Sequence, residues 1–270
     1  VDCQYQQLNY RTSEVEHLYG AQVHIIKNPW AQTLLAQLCN EKSLAPILFL
    51  QIRRLYQLLS QEAMGLFFPK ENISMTTRMS VHTDRGIFKG EVLAHESPAV
   101  VVSIARAGIV PAQTLMEELS LIINPLQVRQ DHLYMARKTD ANGHVIGVDM
   151  SGSKIGGPQE NAVVFIPDPM GATGGSLCQA IDHYKKSVPG KALHYVAMHL
   201  IVTPEYIKTV TKRHPDVKIL ALRLDRGLSD PKVLSSKPGV MMSEERGLNE
   251  HDYIVPGAGG VGEILNNSYV

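Results

Sequence analysis

The stretch VVFIPDPMGATGGS, residues 163–176, runs four apolar residues into Pro167 and Asp168 and then places Gly171, Gly174 and Gly175 ahead of Ser176. The apolar run reads as a buried strand, and GGSLCQAIDHYKKS after it reads as a helix. A glycine-rich turn between the two lets backbone N–H groups converge at a helix N-terminus, where an anion is well held. Thr173 and Ser176 add hydroxyl donors. A triphosphate-cleaving GxxxxGK[ST] loop needs a lysine after the glycines, and none stands here, so a phosphate monoester fits better. Asp168, at the mouth of the loop, is placed to face a sugar's hydroxyls or a metal bound to them.

Outward from this stretch, AVVVSIARAG at 99–108 is another β-branched run ending in glycine, followed by helical PAQTLMEEL. LIINPLQV and HLYMARKTD come next, and Asn142-Gly143 marks a hairpin turn before HVIGVDM. Downstream, ALHYVAMHLIV reads as a strand, PEYIKTVTKRHP as a helix and VKILALRLD as a closing strand. Upstream, Asn28-Pro29 opens a helix with Trp30, Leu34, Leu35 and Leu38 at helical spacing, and a second helix spans Pro46–Met64. Short extended segments are expected at 74–77 and 81–83. Strands alternating with helices predict an α/β fold, a mainly parallel sheet flanked by helices with right-handed crossovers. Residues 1–270 show neither linker nor repeat and read as a single domain with an N-terminal arm at 1–22.

Composition excludes several classes. Lys+Arg and Asp+Glu are each 26, so a formal net charge of zero gives no reason to expect nucleic acid or an anionic membrane as partner. No apolar run is long enough to span a bilayer, and VDCQYQQLNYR lacks the basic-then-apolar order of a signal peptide. Cys3, Cys39 and Cys178 are scattered without a CxxC, which disfavours a disulfide framework or thiolate zinc site and suits a reducing, cytoplasmic setting. The eleven histidines form no HExxH. His194 and His199, five apart on a strand, point to opposite faces and read as core or surface filling, so no protein-held metal is expected. Glu117-Glu118 reads as a solvated helix face.

Two further loops are expected at the same sheet edge as the first, because open α/β sheets bind ligands at the carboxyl ends of their strands. In ARAG, residues 105–108, Arg106 sits among small residues where a guanidinium can clamp a diphosphate. In VPGAGGVG, residues 255–262, Gly257, Gly259 and Gly262 satisfy GxGxxG literally. That pattern marks a dinucleotide site only with a helix, a strand and a later acid behind it, and the sequence ends at Val270. A loop closing over a flat ligand is the better expectation.

Together these motifs resemble the uracil phosphoribosyltransferase family. DPMGATGGS is similar to its phosphoribosyl-diphosphate (PRPP) signature, IARAG to its diphosphate loop, and RGLNEHDYIVPGAGGVGE to its C-terminal base-binding hood. The resemblance runs, more weakly, from about Val23 to the C-terminus. It implies a type I phosphoribosyltransferase core with a β-hairpin arm and a hood at 226–270, usually assembled as a homodimer or higher homo-oligomer. It implies PRPP contacts from Arg106, Arg137, Asp168, Pro169, Met170, Gly171, Ala172, Thr173, Gly174, Gly175 and Ser176, with Arg106 and Asp168 serving catalysis. The 5′-phosphate would lie on the amides of Ala172–Gly175, and Mg²⁺ would arrive with the diphosphate. Uracil would be read by the backbone at Ile254, Gly259, Gly260 and Val261, a turning main chain matching its acceptor–donor–acceptor edge.

Three departures from the family bear on turnover. Gly260 stands where the hood has an aspartate; Ser151, three residues before Lys154, stands where a tyrosine is usual; and RLDRGLS and EERGLNE flank an insertion at 228–245. The resemblance implies transfer of the phosphoribosyl group to uracil. The departures favour the alternatives, a nucleotide- or PRPP-binding sensor without turnover or a transferase for another base. An acid from the insertion (Asp230, Glu244 or Glu245) reaching the ribose, or a positive φ at Gly260, would change what the missing carboxylate means.

Overall fold

The computed structural model describes residues 10–139 and 145–268. After a short β1 (Val23–Ile25), Asn28 caps helix α1 (Pro29–Leu38): its side chain accepts from the Ala31 amide at 3.1 Å, and Pro29 supplies a preset φ in the first turn. The long α2 (Ile47–Phe67) buries Leu48, Ile52, Leu55, Leu59 and Ala63 along one face. A separate antiparallel hairpin of β2 (Lys70–Thr76) and β3 (Ile87–Leu93) follows. Then come β4 (Ala99–Ala105), α3 (Ile109–Ile122), β5 (Val128–Thr139) and β6 (Val145–Lys154). The second half holds β7 (Val163–Pro167), β8 (Met170–Gly171), α4 (Gly175–Ser187), β9 (His194–Val202), α5 (Pro204–Arg213) and β10 (Lys218–Leu224). It ends in two short helices, α6 (Pro231–Leu234) and α7 (Val261–Asn266).

The main sheet has the order β1-β10-β9-β7-β4-β5-β6, with β8 added alongside β9. Every pairing in it is parallel except β5–β6. Alternation along the strands divides the core in two. Val101, Val163, Phe165, Met198 and Leu220 face α1, α2 and α3, whereas Val100, Val164, Ile166 and Ala197 face Leu177, Ile181 and Tyr184 of α4 and Ile207 and Val210 of α5. Because β4, β7, β9 and β10 are parallel neighbours, their carboxyl ends emerge along one edge. The expected α/β architecture is the one observed.

Several local expectations are corrected. Residues 81–83 are not extended: Arg78–Val81 form a single 3-10 turn, capped by Thr77, and the strand lies later, at β3. The tip closes because Thr77 N donates to Gly86 O at 2.8 Å, and a Cβ on Gly86 would run into the Met79 and Ser80 backbone. This hairpin exposes Met75, Met79, Val81 and Ile87. The α2 helix continues to Phe67 rather than stopping at Met64. β5 and β6 pair antiparallel as a hairpin requires, while the Asn142-Gly143 turn itself lies outside the described residues. Residues 255–262 do not leave a sheet strand; they follow an isolated bridge between Leu248 and Ile254 and fold back over the edge.

The insertion at 228–245 is fixed to the arm through Glu245. Its carboxylate is fully buried and accepts from Arg226 Nη1 and Gly239 N, each at 2.8 Å, and from the Tyr19 hydroxyl. Burial and this carboxylate together push the Tyr19 phenol up. Asp230 caps α6 by accepting from Lys232 N, and Glu244 is exposed. Glu245 is thus committed to local structure, whereas Asp230, like Glu244, lies exposed. Replacing Glu245 with Ala should cost about 3–5 kcal/mol by leaving the Arg226 guanidinium buried without its carboxylate. Denaturant unfolding checks this, with Lys237→Ala, which breaks only the exposed Glu16 pair, expected to unfold at the wild-type midpoint.

Candidate active site

The glycine-rich loop leaves β7 and is bound along its length to β9 and the start of α5. Asp168 N donates to Met198 O at 3.0 Å, and Pro169 O accepts from Leu200 N and Ile201 N at 3.0 and 3.2 Å. Gly171 O accepts from Thr203 N at 3.1 Å, and Ala172 O from the Thr203 hydroxyl at 2.6 Å. Gly171 is required by proximity, because a Cβ there would lie 2.9 Å from Val202 Cγ1 and 3.2 Å from the Tyr206 ring. Gly174 is required by conformation: its φ of +84° turns the chain into α4.

Orientation follows from these bonds. The carbonyls of Asp168, Pro169, Met170, Gly171 and Ala172 are all satisfied from within the fold. The Ala172 amide is occupied too, donating to Met170 O at 3.1 Å. The first bond within α4 runs from Cys178 N to Gly174 O, so the amides of its opening turn have no acceptor in the helix itself. Within the expected set Ala172–Gly175, the Ala172 amide is thus taken up within the loop and Gly175 N donates to the Thr173 hydroxyl at 3.5 Å, while Thr173, Gly175 and the neighbouring Ser176 are half-buried. Asp168 is half-buried at the mouth, with Oδ1 accepting from Met170 N at 3.2 Å.

The arginine loop lies directly beside it. A Cβ on Gly108 would meet Pro167 O at 3.0 Å and Ile104 O at 2.7 Å, which places the exits of β4 and β7 in contact. The Ala105–Arg106 peptide is cis. Arg106 is half-buried and its Nη1 donates to the Ser268 carbonyl at 3.0 Å and hydroxyl at 2.6 Å. Arg137 is in β5, in register with Val148, and its side chain lies outside what is described. Ser151 Oγ donates to Tyr134 O at 3.3 Å.

The hood is held over these loops by a buried carboxylate. Asp225 accepts from Arg223 Nε and Nη2 at 2.6 and 2.8 Å and from Gly257 N at 2.8 Å, while Arg223 also donates to Gly257 O at 3.2 Å. Gly257 and Gly259 have φ of +60° and +68°. A Cβ on Gly262 would lie 3.1 Å from Ala107 Cβ, so the hood rests on the arginine loop. Val261 is buried in the core, leaving its backbone as the part that can meet a ligand, and Ile254 packs partly buried against the same cluster. A short helix does follow the GxGxxG residues, contrary to expectation, but α7 spans only Val261–Asn266.

At Gly260 the alternative of a positive φ is not what the structure shows. Its φ is −78°, so the backbone does not demand glycine. A Cβ there would instead fall on the carboxylate of Glu263, which reaches back one turn and fills that space. The sequence reading placed Glu263 only as the last residue of the hood motif and missed its contact with Gly260, which their i, i+3 relation at the start of α7, a helix not expected, brings about.

A second missed residue is His199, buried beneath the loop. Its Nδ1 lies 2.6 Å from Asp168 O, a carbonyl that can only accept, so Nδ1 carries the hydrogen. Nε2 then accepts from the Tyr206 hydroxyl at 2.5 Å, and the two rings meet edge-on with centroids 4.6 Å apart. Burial lowers the His199 pKa to about 4, opposed in part by the Asp168 carbonyl. Among the described residues no group of three His, Cys, Asp or Glu could hold a metal ion, and no helix is long and apolar enough to cross a membrane.

An open parallel sheet with a glycine-rich loop, an adjoining arginine loop and a hood above them defines a type I phosphoribosyltransferase fold. The profile of the uracil phosphoribosyltransferase family matches residues 25–241. The chain belongs to that family of enzymes. It is 30% identical over 244 residues to the uracil phosphoribosyltransferase of Dictyoglomus thermophilum, covering 90% of this chain and 98% of that one. It is 26% identical over 188 residues to that of Thermococcus kodakarensis, covering 70% and 68%. The AQ2163 protein from Aquifex aeolicus shares its fold, with a TM-score of 0.68 at 22% identity over 90% of this chain and 97% of that one.

His199 also gives a pH signature. Its folded pKa of about 4 lies below the unfolded 6.5, so folding favours the neutral ring. That contribution is complete above pH 6.5 and is lost as pH falls from there toward 4, on the order of 3 kcal/mol. Unfolding free energies across this range should therefore fall more steeply for the wild type than for His199→Asn, with parallel slopes as the contrary result.

Proposed function

We propose that the protein transfers the phosphoribosyl group of PRPP to uracil, giving UMP and diphosphate. The observation that carries this reading is the contact between the exits of β4 and β7. It brings, in this reading, a monophosphate cradle next to a cationic loop, with the hood resting on that loop at Gly262. In this reading the amides of Thr173–Ser176 and the hydroxyls of Thr173 and Ser176 hold the 5′-phosphate, while Asp168 faces the ribose hydroxyls. Pro169, Met170, Gly171 and Ala172 shape the loop, and Arg137 is a second cation toward PRPP.

The bond broken is C1′–O, and no phosphoryl group is transferred, which is why the loop needs no lysine. Arg106 exchanges the Ser268 oxygens for the diphosphate and offsets its charge as it leaves. Mg²⁺ would enter on the diphosphate as part of the substrate and help offset its charge. Uracil, read by the backbone at Ile254 and Gly259–Val261, attacks C1′ through N1 as the C1′–O bond breaks, and the N1 proton passes to the departing diphosphate. Catalysis is placement and electrostatics without a covalent nucleophile.

The Glu263 carboxylate over Gly260 favours turnover over a sensor role, because an acid still occupies that part of the hood. We assign it the place of the absent hood aspartate. The exposed Met75, Met79, Val81 and Ile87 of the hairpin arm favour a homodimer or higher homo-oligomer, and the scattered cysteines a reducing cytoplasm. One domain accommodates every element of this account.

Incubation with PRPP, Mg²⁺ and a panel of bases should yield UMP from uracil; no nucleotide from any base would overturn the reading. In the same assay Glu263→Gln should lower kcat/KM by roughly ten- to a hundredfold, as for loss of one charged hydrogen bond. Gly260→Asp alone should also lose activity by colliding with Glu263. Combining Gly260→Asp with Glu263→Ala, which clears that space, should recover it by returning the acid to position 260.

A further inference from the structure

We propose that His199 is a positioning residue for the phosphoribosyl site, fixing Asp168 through its main-chain carbonyl in a relay completed by Tyr206. The inference rests on the reading of the Asp168 loop given above. Three observations carry it. His199 is 1% exposed, yet both ring nitrogens are engaged, one with the loop and one with α5. The bond to Asp168 O is made at the residue whose side chain opens the loop, where β7 ends and before β8 begins. Tyr206 serves the same loop twice more: its amide donates to the Thr203 hydroxyl, which in turn donates to Ala172 O, and its ring lies against Gly171.

The chemistry explains the residue types. A carbonyl leaving a strand end inside the protein needs a donor from the next strand's side chain, and β9 supplies it from the face that also meets α5. Imidazole can donate at one nitrogen and accept at the other, so a single ring ties the loop to the helix. The Tyr206 hydroxyl fixes the tautomer, because donating to Nε2 leaves the hydrogen on Nδ1. Tyr56, from the opposite layer, donates its hydroxyl to Met198 O at 3.0 Å, next to the bond from Asp168 N to that same carbonyl. With the peptide on both sides of Asp168 held, the carboxylate is presented from a fixed Cα.

The test compares His199→Leu, which fills the space without a donor, with His199→Asn, which keeps an N–H near the Nδ1 position, and Tyr206→Phe. Calorimetric titration with Mg²⁺–PRPP should show affinity lowered by about tenfold in the Leu variant, as for one lost hydrogen bond, and largely kept in the Asn variant. Tyr206→Phe should fall between them. The KM for PRPP should rise in the same order while the KM for uracil stays constant. In the ligand-free protein, amide exchange at 170–175 should quicken in the Leu variant while the β4 amides keep wild-type rates. The proposal is overturned if a folded Leu variant binds PRPP and exchanges as the wild type does. It is equally overturned if Asn is as impaired as Leu, or if exchange quickens uniformly. Should the wild type bind no PRPP, the functional reading falls by itself, and loop exchange still decides the role of His199.

Discussion

Everything at the sheet edge depends on how the carbonyls of residues 168–172 are satisfied. A loop that is to offer amides to an anion must turn its carbonyls the other way, and each inward carbonyl needs a donor. β9 and the start of α5 provide them from the Leu200, Ile201 and Thr203 amides, the Thr203 hydroxyl and His199. Met170 O is closed locally by Ala172 N. The glycines at 171 and 174 then have distinct duties, one allowing close approach to Tyr206 and the other a left-handed turn. The loop is a product of the strand beside it as much as of its own sequence.

The hood obeys a similar rule. Asp225, at the end of β10, is buried against Arg223 and the Gly257 amide, so the last sheet strand holds the main chain that covers the edge. Arg226, one residue on, is bound by Glu245 and anchors the insertion to Tyr19 in the arm. Consecutive residues 225 and 226 therefore separate the two tasks of the C-terminal region. One holds the main chain of the hood; the other fastens a structural extension away from it.

Much of this was legible in the sequence. β7, its glycine-rich exit and α4 follow from the apolar run and the glycine spacing, and the adjoining arginine loop from AVVVSIARAG. The parallel sheet followed from the alternation of strands and helices. What was not legible depends on partners distant along the chain. Tyr19 and Glu245 are 226 positions apart. His199 reads as filling from its strand position because period-two patterning gives the face but not the acceptor. The contact of Glu263 with Gly260 was hidden because no helix was expected so near Val270, and one of six residues forms there. The hairpin arm was misplaced because its tip at 77–86 is closed by backbone contacts rather than by an Asn-Gly signal.

The most direct measurement is a structure of the protein with UMP bound. The account predicts the 5′-phosphate on the amides of Thr173–Ser176, the ribose hydroxyls facing Asp168, and the base beneath Gly259–Val261. Phosphate bound elsewhere with this loop empty would contradict it.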